Sequence, residues 1–413
     1  MTAELLFLLI IAIVVLGYLL DLVLDFLNFN TLGKKLPDFL EGIYEPGKYL
    51  EQQNYQRVNY RFGLFSGAFS FLLILAMLLL NGFAFLDHFV RGISSSPIMQ
   101  ALMFFGIIGF AADLLTTPFD IYDTFVIEQR FGFNTTKPRT YIVDKLKGWL
   151  LAVIIGGGML SLIVLIYERT GSLFWLILWG VISLFTLFIS YFYTLLILPL
   201  FNKLTPLEEG ELRDAIESFA VKAEFSLRNV YTMDGSKRST KGNAYFSGFG
   251  KQKKIVLFDT LIKEHTTGEL VAVLAHEIGH YKKKHIPKGM ILDFLQTGAL
   301  LFIFSLLVSS PLLSASLGSP ETGFHMGLLA FGILYSPVSE ILSIGMNIIS
   351  RKHEFQADEF AATKSSSKDL QEALKKLSSQ NLTNLQPHPA YVYVHYSHPP
   401  LAARLKALQK YDT

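Results

Sequence analysis

The sequence predicts a mainly α-helical, polytopic membrane protein with seven transmembrane helices and a polar domain gathered on one side of the bilayer. Three observations lead there. Of 413 residues, 51% are hydrophobic and 17% charged, whereas soluble domains carry about a quarter charged residues. Seven stretches approach or exceed the roughly 20 apolar residues that a helix needs to cross hydrocarbon. In the resulting topology, 34 of the 36 Lys and Arg residues fall on one side, the asymmetry expected of a cytoplasmic face.

The expected spans run over Leu5–Leu24, Phe62–Phe83, Ile98–Thr116, Trp149–Ile166, Phe174–Leu198, Met290–Leu313 and Met326–Ile349. The N-terminus enters its apolar stretch with no preceding Lys or Arg and no small-residue cleavage site, so it is expected to be a retained span rather than a signal peptide. Lys34, Lys35, Lys48, Arg57 and Arg61 join spans one and two, and Arg130, Lys137, Arg139, Lys145 and Lys147 join spans three and four. The opposite side holds only Arg91 and Arg169. The N-terminus is therefore expected outside and the C-terminus inside. A net charge of +2 with no cationic stripe argues against a nucleic-acid partner. Cys is absent, so any metal must be held by His and carboxylates.

The chain divides into spans one to five (1–200), a polar segment (201–288), spans six and seven (289–350) and a polar tail (351–413). The two polar segments lie on the same side and are long enough to form one compact domain. An amphipathic helix is expected over Pro206–Phe225, with Leu207, Leu212, Ile216 and Phe219 on its apolar stripe. Asn243–Phe249 and Lys254–Phe258 read as strands of a hairpin turning at Gly248–Lys251. Thr266 and Glu269 have capping-box spacing and open a helix expected to run through His285 until Pro287 stops it.

Inside that helix stands His276-Glu277-Ile278-Gly279-His280, an H-E-x-x-H pattern. Side chains four apart share a helical face, so His276 and His280 can aim ring nitrogens at one ion, with Glu277 beside them as a proton acceptor. Zinc held by three protein ligands keeps a fourth position for water. The metzincin extension is excluded because Lys283 and Ile286 stand where its Gly and His would be. The better candidate for the third ligand is Glu354, with Asp358 one turn further on and able to orient a ligand imidazole. His285, His353 and Glu359 remain rivals.

Together these residues resemble a known family. H-E-I-G-H, then Glu354-Phe355-Gln356-Ala357-Asp358, then Ser397-His398-Pro399-Pro400-Leu401 with Arg404 downstream, is similar to the CaaX prenyl proteases of the Ste24 type, in the M48 group of gluzincins. Asn243–Phe246, Glu128–Asn134 and the seven spans resemble the same family, so the likeness covers nearly the whole chain. It implies seven helices enclosing a water-filled chamber, with a gluzincin-type zinc-peptidase domain carrying a small β-hairpin or sheet. It implies one Zn2+ held by His276, His280 and Glu354, with Glu277 as the base and His398 aiding catalysis. Asp358 and Arg404 would support the ligands, and Asn243, Ala244, Tyr245 and Phe246 would form an edge strand that pairs with the substrate backbone. The implied activity is that of a zinc metalloendopeptidase in a multi-pass membrane protein. Its site would face the cytoplasm, from a bacterial inner membrane or the endoplasmic reticulum, and it would remove the last three residues of a prenylated CaaX peptide. A membrane-protein quality-control protease is the alternative within the same chemistry. A seven-span receptor or transporter with a structural metal is the alternative outside it. Asp21, Asp25, Asp113, Asp293 and Glu340 lie in or beside spans, where acids must face protein or water.

Overall fold

Long uninterrupted apolar runs make the helical choice for most of this chain, because inside hydrocarbon only a helix or a closed barrel satisfies every backbone group. A computed structural model describes residues 2–225, 230–247 and 254–412. Its first half contains α1 (Ala3–Phe29), α2 (Pro46–Leu79), α3 (Gly82–Ile93), α4 (Pro97–Tyr122), α5 (Pro138–Leu151), α6 (Gly158–Thr170), α7 (Phe174–Leu196) and α8 (Leu198–Phe201). A π-helical turn at Asp123–Glu128 extends α4, and another at Ala152–Gly157 joins α5 to α6.

Among the described residues, six helical runs are long and apolar enough to cross a membrane, not seven. The expected fourth and fifth spans share one run, Pro138–Phe201. It is broken at Gly171, whose φ of +54° puts it in the left-handed region that favours glycine, so that α6 and α7 can lie side by side. The remaining expected spans each match one run.

The membrane helices do not form a solid bundle. Neighbours follow the cycle α1, α2, α4, α6 and α7, then α12 (His285–Leu307) and α14 (Phe324–Lys364), and back to α1. Phe62 on Tyr122 and Phe69 against Phe119 join α2 to α4. Only 6 to 17% of the most apolar stretch of each run is buried. One end of the ring is filled by Ile10, Phe83, Phe104, Phe174, Phe304 and Phe331. Asp113 is paired with Lys145 at 3.1 Å and accepts from Trp149 Nε1 at 2.9 Å, which answers the need for a partner.

The polar domain covers the other end of the ring. It comprises β1 (Leu204–Pro206), α9 (Glu211–Lys222), β2 (Val230–Met233), β3 (Ala244–Ser247), β4 (Lys254–Phe258), α10 (Asp259–Glu264) and α11 (Thr267–Lys282). After α12, α13 (Pro311–Ser316) and α14, it resumes with α15 (Ser367–Gln380), α16 (Pro389–His395) and α17 (Leu401–Leu408). The sheet order is β1-β2-β4-β3, with β2 parallel to β4 and the outer pairs antiparallel. The core joins Ile216, Leu257, Leu274 and Ile278 from the first polar segment to Leu374 and Leu405 from the second.

Two local expectations need correction. The helix expected over Pro206–Phe225 begins only at Glu211, because Leu204–Pro206 pairs with β2 as an edge strand, a position that tolerates proline. The hairpin strands pair antiparallel as expected, while residues 248–253 of the turn lie outside the described residues. The helix expected to reach His285 ends at Lys282. Lys284 turns left-handed at φ 58°, and Pro287 falls in the first turn of α12, where a missing N–H costs nothing, so it starts a helix rather than stopping one.

Candidate metal centre

Local and tertiary causes converge on α11. Its capping box forms as the sequence predicts, with Thr266 Oγ1 accepting from the Glu269 amide at 3.3 Å and Glu269 accepting from the Thr266 amide at 3.1 Å. The buried face of α11 then packs along α14, the helix that emerges from the last span. Gly279 makes this close approach possible: a Cβ there would lie 3.1 Å from Ala357 Cα and 3.2 Å from its carbonyl oxygen. Glu354 and Asp358, one turn apart on α14 and both buried, are thereby delivered beneath His276 and His280.

The donor atoms of His276, His280 and Glu354 all lie within 4.8 Å of one another. The two Nε2 atoms are 3.2 Å apart, Glu354 Oε1 is 3.2 Å from His280 Nε2, and Glu354 Oε2 is 3.5 Å from His276 Nε2. Ligands about 2.0 to 2.1 Å from a tetrahedral ion would be separated by about 3.3 Å, so the spacing fits zinc. A second observation agrees: Glu354 Oε2 is buried with no hydrogen-bond partner, with Arg404 Nη1 3.7 Å away, so the oxygen is charge-compensated yet open to a ligand bond. An all-nitrogen-and-oxygen donor set of two imidazoles and a carboxylate also suits that ion.

The far ring nitrogens are fixed as metal ligands require. His276 Nδ1 donates to Asp358 Oδ1 at 2.8 Å. Asp358 in turn accepts two hydrogen bonds from Arg404, at 2.6 Å from Nη2 and 2.8 Å from Nε, a bidentate pair. Burial disfavours a charged His276 ring, but the hydrogen bond to Asp358 and the nearby Glu354 carboxylate outweigh it and push its pKa up to about 9. Burial likewise opposes the Arg404 charge, and Asp358 more than compensates.

His280 Nδ1 lies 3.1 Å from His285 Nδ1, and His285 Nε2 donates to Gln356 Oε1 at 2.9 Å. His285 and His353, the rival ligands, stack on each other at 3.9 Å outside the donor cluster. Glu359, the remaining rival, also lies outside it. Gln356 and Gly279 were not singled out from the sequence. Gly279 sits within the H-E-x-x-H motif, but the need for a glycine there arises only when α14 packs against it.

Glu277 is half-buried and lines the same 420 Å³ cavity as the three donors. Asn243, Ala244, Tyr245 and Phe246 form another wall, and among the described residues the outer edge of β3 is unpaired. His398 is largely exposed, with Nε2 3.4 Å from Glu354 Oε1 and Nδ1 2.9 Å from Ser397 Oγ. His276, Glu277, His280, Glu354, His398, Arg404 and Asn243 to Phe246 thus line one cavity, with Asp358 against His276, while the rival ligands lie outside the donor cluster. The site combines three donors spaced to hold a metal ion, the Glu277 carboxylate, an exposed imidazole and, among the described residues, a free strand edge.

Residues 26–203 match the family described as CAAX prenyl protease N-terminal, five membrane helices, and residues 206–412 match peptidase family M48. The CAAX prenyl protease 1 homolog of Arabidopsis thaliana is 39% identical, over 77% of this chain and 75% of that protein. The CAAX prenyl protease 1 of Saccharomyces cerevisiae is 34% identical over 93% and 91% of the two chains, and the Homo sapiens homolog 33% over 91% and 88%. The crystal structure of S. mikatae Ste24p superposes with a TM-score of 0.92 at 32% identity, covering 98% of this chain and 99% of that one. The chain therefore belongs to the CAAX prenyl protease family of M48 peptidases and is a multi-pass membrane metallopeptidase.

Proposed function

We propose that this protein is a zinc metalloendopeptidase that removes the last three residues of prenylated CaaX peptides. One observation carries the reading: the His276, His280 and Glu354 donors, Glu277 and the free edge of β3 open onto a single cavity. His276, His280 and Glu354 would hold one Zn2+ per chain, with Asp358 and Arg404 fixing the His276 ring. The ion, when bound, supplies Lewis acidity toward the scissile carbonyl. Glu277 takes the proton of the attacking water and passes it to the leaving amine. His398, which lines the same cavity, donates to the oxygen on which negative charge develops. Asn243 to Phe246 hold the substrate backbone by strand addition, which fixes the peptide while tolerating varied side chains. The prenyl and CaaX assignment is supported by relatives that bear the name CAAX prenyl protease.

In this reading the polar segments 201–288 and 351–413 make one peptidase domain, carried by spans one to five (1–200) and six and seven (289–350). The site faces the cytoplasm, from the endoplasmic reticulum or a bacterial inner membrane, an orientation supported by the 34 cations on that side. Purified protein offered farnesylated and unmodified CaaX peptides tests the substrate. Release of the last three residues from the farnesylated peptide, at several times the rate for the unmodified one, is expected. Equal cleavage of both would favour a general protease of membrane or misfolded proteins.

A further inference from the structure

The segment Glu128–Asn134, part of the family likeness, lies outside the metal centre, yet it makes a dense set of contacts with the loop that enters β3. Asn134 forms a β-bridge with Ser239, the Thr240 amide donates to the Phe133 carbonyl at 3.0 Å, and the Thr135 amide donates to the Arg238 carbonyl at 3.2 Å. At the centre, Lys241 Nζ lies 2.7 Å from Glu128 Oε2 and 3.1 Å from the Tyr55 hydroxyl, 4.3 Å above the Phe133 ring. Tyr55 donates to the other Glu128 oxygen at 2.6 Å. Burial disfavours the Lys241 ammonium, and Glu128 with Tyr55 holds its pKa above the ordinary value nonetheless. Two residues beyond Lys241, Asn243 begins the wall of the active-site cavity.

We propose that the Glu128–Lys241 pair is a clamp that ties the substrate-binding strand to the membrane helices and sets the register in which a peptide meets the metal. The inference rests on the function proposed above. β3 is four residues long, its register set within the sheet by β4 while α11 and α7 pack against it. A slip of one residue along such a strand reverses every side chain and moves the scissile bond by about 3.3 Å, far more than the roughly 1 Å that already costs about 10² in rate. A substrate anchored in the membrane has its position set by the ring of helices, so the strand must be indexed to that ring. Glu128 closes the π-helical turn that ends the α4 run, and Lys241 reaches it from the polar domain, so the pair spans that junction. Turns of this kind are common at functional positions. Glu128 and Lys241 are positioning residues that do not touch the reacting atoms.

Lys241→Met and Lys241→Arg, in the full-length protein, test the clamp with a farnesylated peptide and products identified by mass spectrometry. Lys241→Met should keep its metal, raise KM about tenfold with kcat within about twofold, as expected for loss of a charge-assisted contact, and give a second product cut one residue away. Lys241→Arg, which can still reach Glu128, should restore the single product and the KM. If Lys241→Met fails to fold or loses metal, Glu128→Gln, which keeps the shape but not the charge, must give the same KM rise and second product. A single wild-type product with unchanged KM in the folded variant overturns the clamp. A wild-type protein that cleaves no peptide instead overturns the function on which it rests.

Discussion

Replacing Gly279 with Ala adds one methyl group at the seam between the two helices that carry the metal donors. Its Cβ would meet Ala357 Cα at 3.1 Å, the Ala357 carbonyl oxygen at 3.2 Å and Phe360 Cβ at 3.2 Å. Ordinary contacts lie at about 3.5 to 4.0 Å, so α11 and α14 must part by about 0.4 to 0.9 Å. Two of the three neighbours are backbone atoms, which no side-chain rotation can move aside. Overpacking costs about 1 to 3 kcal/mol and the better helix propensity of alanine returns about 1 kcal/mol, leaving a destabilisation of about 0 to 2 kcal/mol. The effect on function should be larger, because His276 and His280 ride on one helix and Glu354 on the other. With donor separations of only 3.2 to 3.5 Å, a displacement of that size degrades the cluster and should lower turnover by at least about tenfold. Metal content after dialysis against a graded chelator, a thermal melt and a peptidase assay measure the three effects. A folded Gly279→Ala protein with wild-type metal affinity and turnover would refute the packing argument.

Three further outcomes follow from the same geometry. Glu354→Ala should strip most of the metal while Glu359→Ala retains it, and equal metal content in the two would place the third ligand elsewhere. Because the Asp358 and Glu354 carboxylates outweigh burial and raise the His276 pKa to about 9, a metal ion must displace its proton at neutral pH. Apparent metal affinity, read by chelator competition, should therefore rise about tenfold per pH unit toward pH 9 and flatten above it, whereas a flat profile between pH 6 and 9 would contradict the ligand role of His276. In a chain without native Cys, an impermeant thiol reagent applied outside intact cells should label Cys at Arg169 and spare Cys at Lys283 and Lys410. Outside labelling at 283 would reverse the orientation.

What the sequence disclosed and what it withheld divide along the range of the forces involved. The spans and the capped α11 were legible because hydropathy and capping act over neighbouring residues, and the His276–His280 pair because i and i+4 share a helical face. Glu354 was readable only as a candidate, since its approach to His280 depends on α14 packing against α11. The end of α11 was misread because Lys284, which carries the left-handed turn, gives none of the usual glycine or asparagine signal. The strand at Leu204–Pro206 was missed because three residues show no period, and its existence depends on β2 lying alongside. The seven expected spans correspond to α1, α2, α4, α6, α7, α12 and α14, and only the sharing of one helical run by α6 and α7 was not legible. Gln356 and Lys241 gave no sign of their roles, which arise only from partners distant in the chain.

The central claim, a metal triad with Glu277 as proton acceptor, is tested most directly by Glu277→Gln, with metal content and turnover measured on the same preparation. An amide cannot take up the proton, so the variant should keep one Zn2+ per chain while turnover falls by about 10² to 10⁴. Turnover at the wild-type rate with the metal in place would contradict the account.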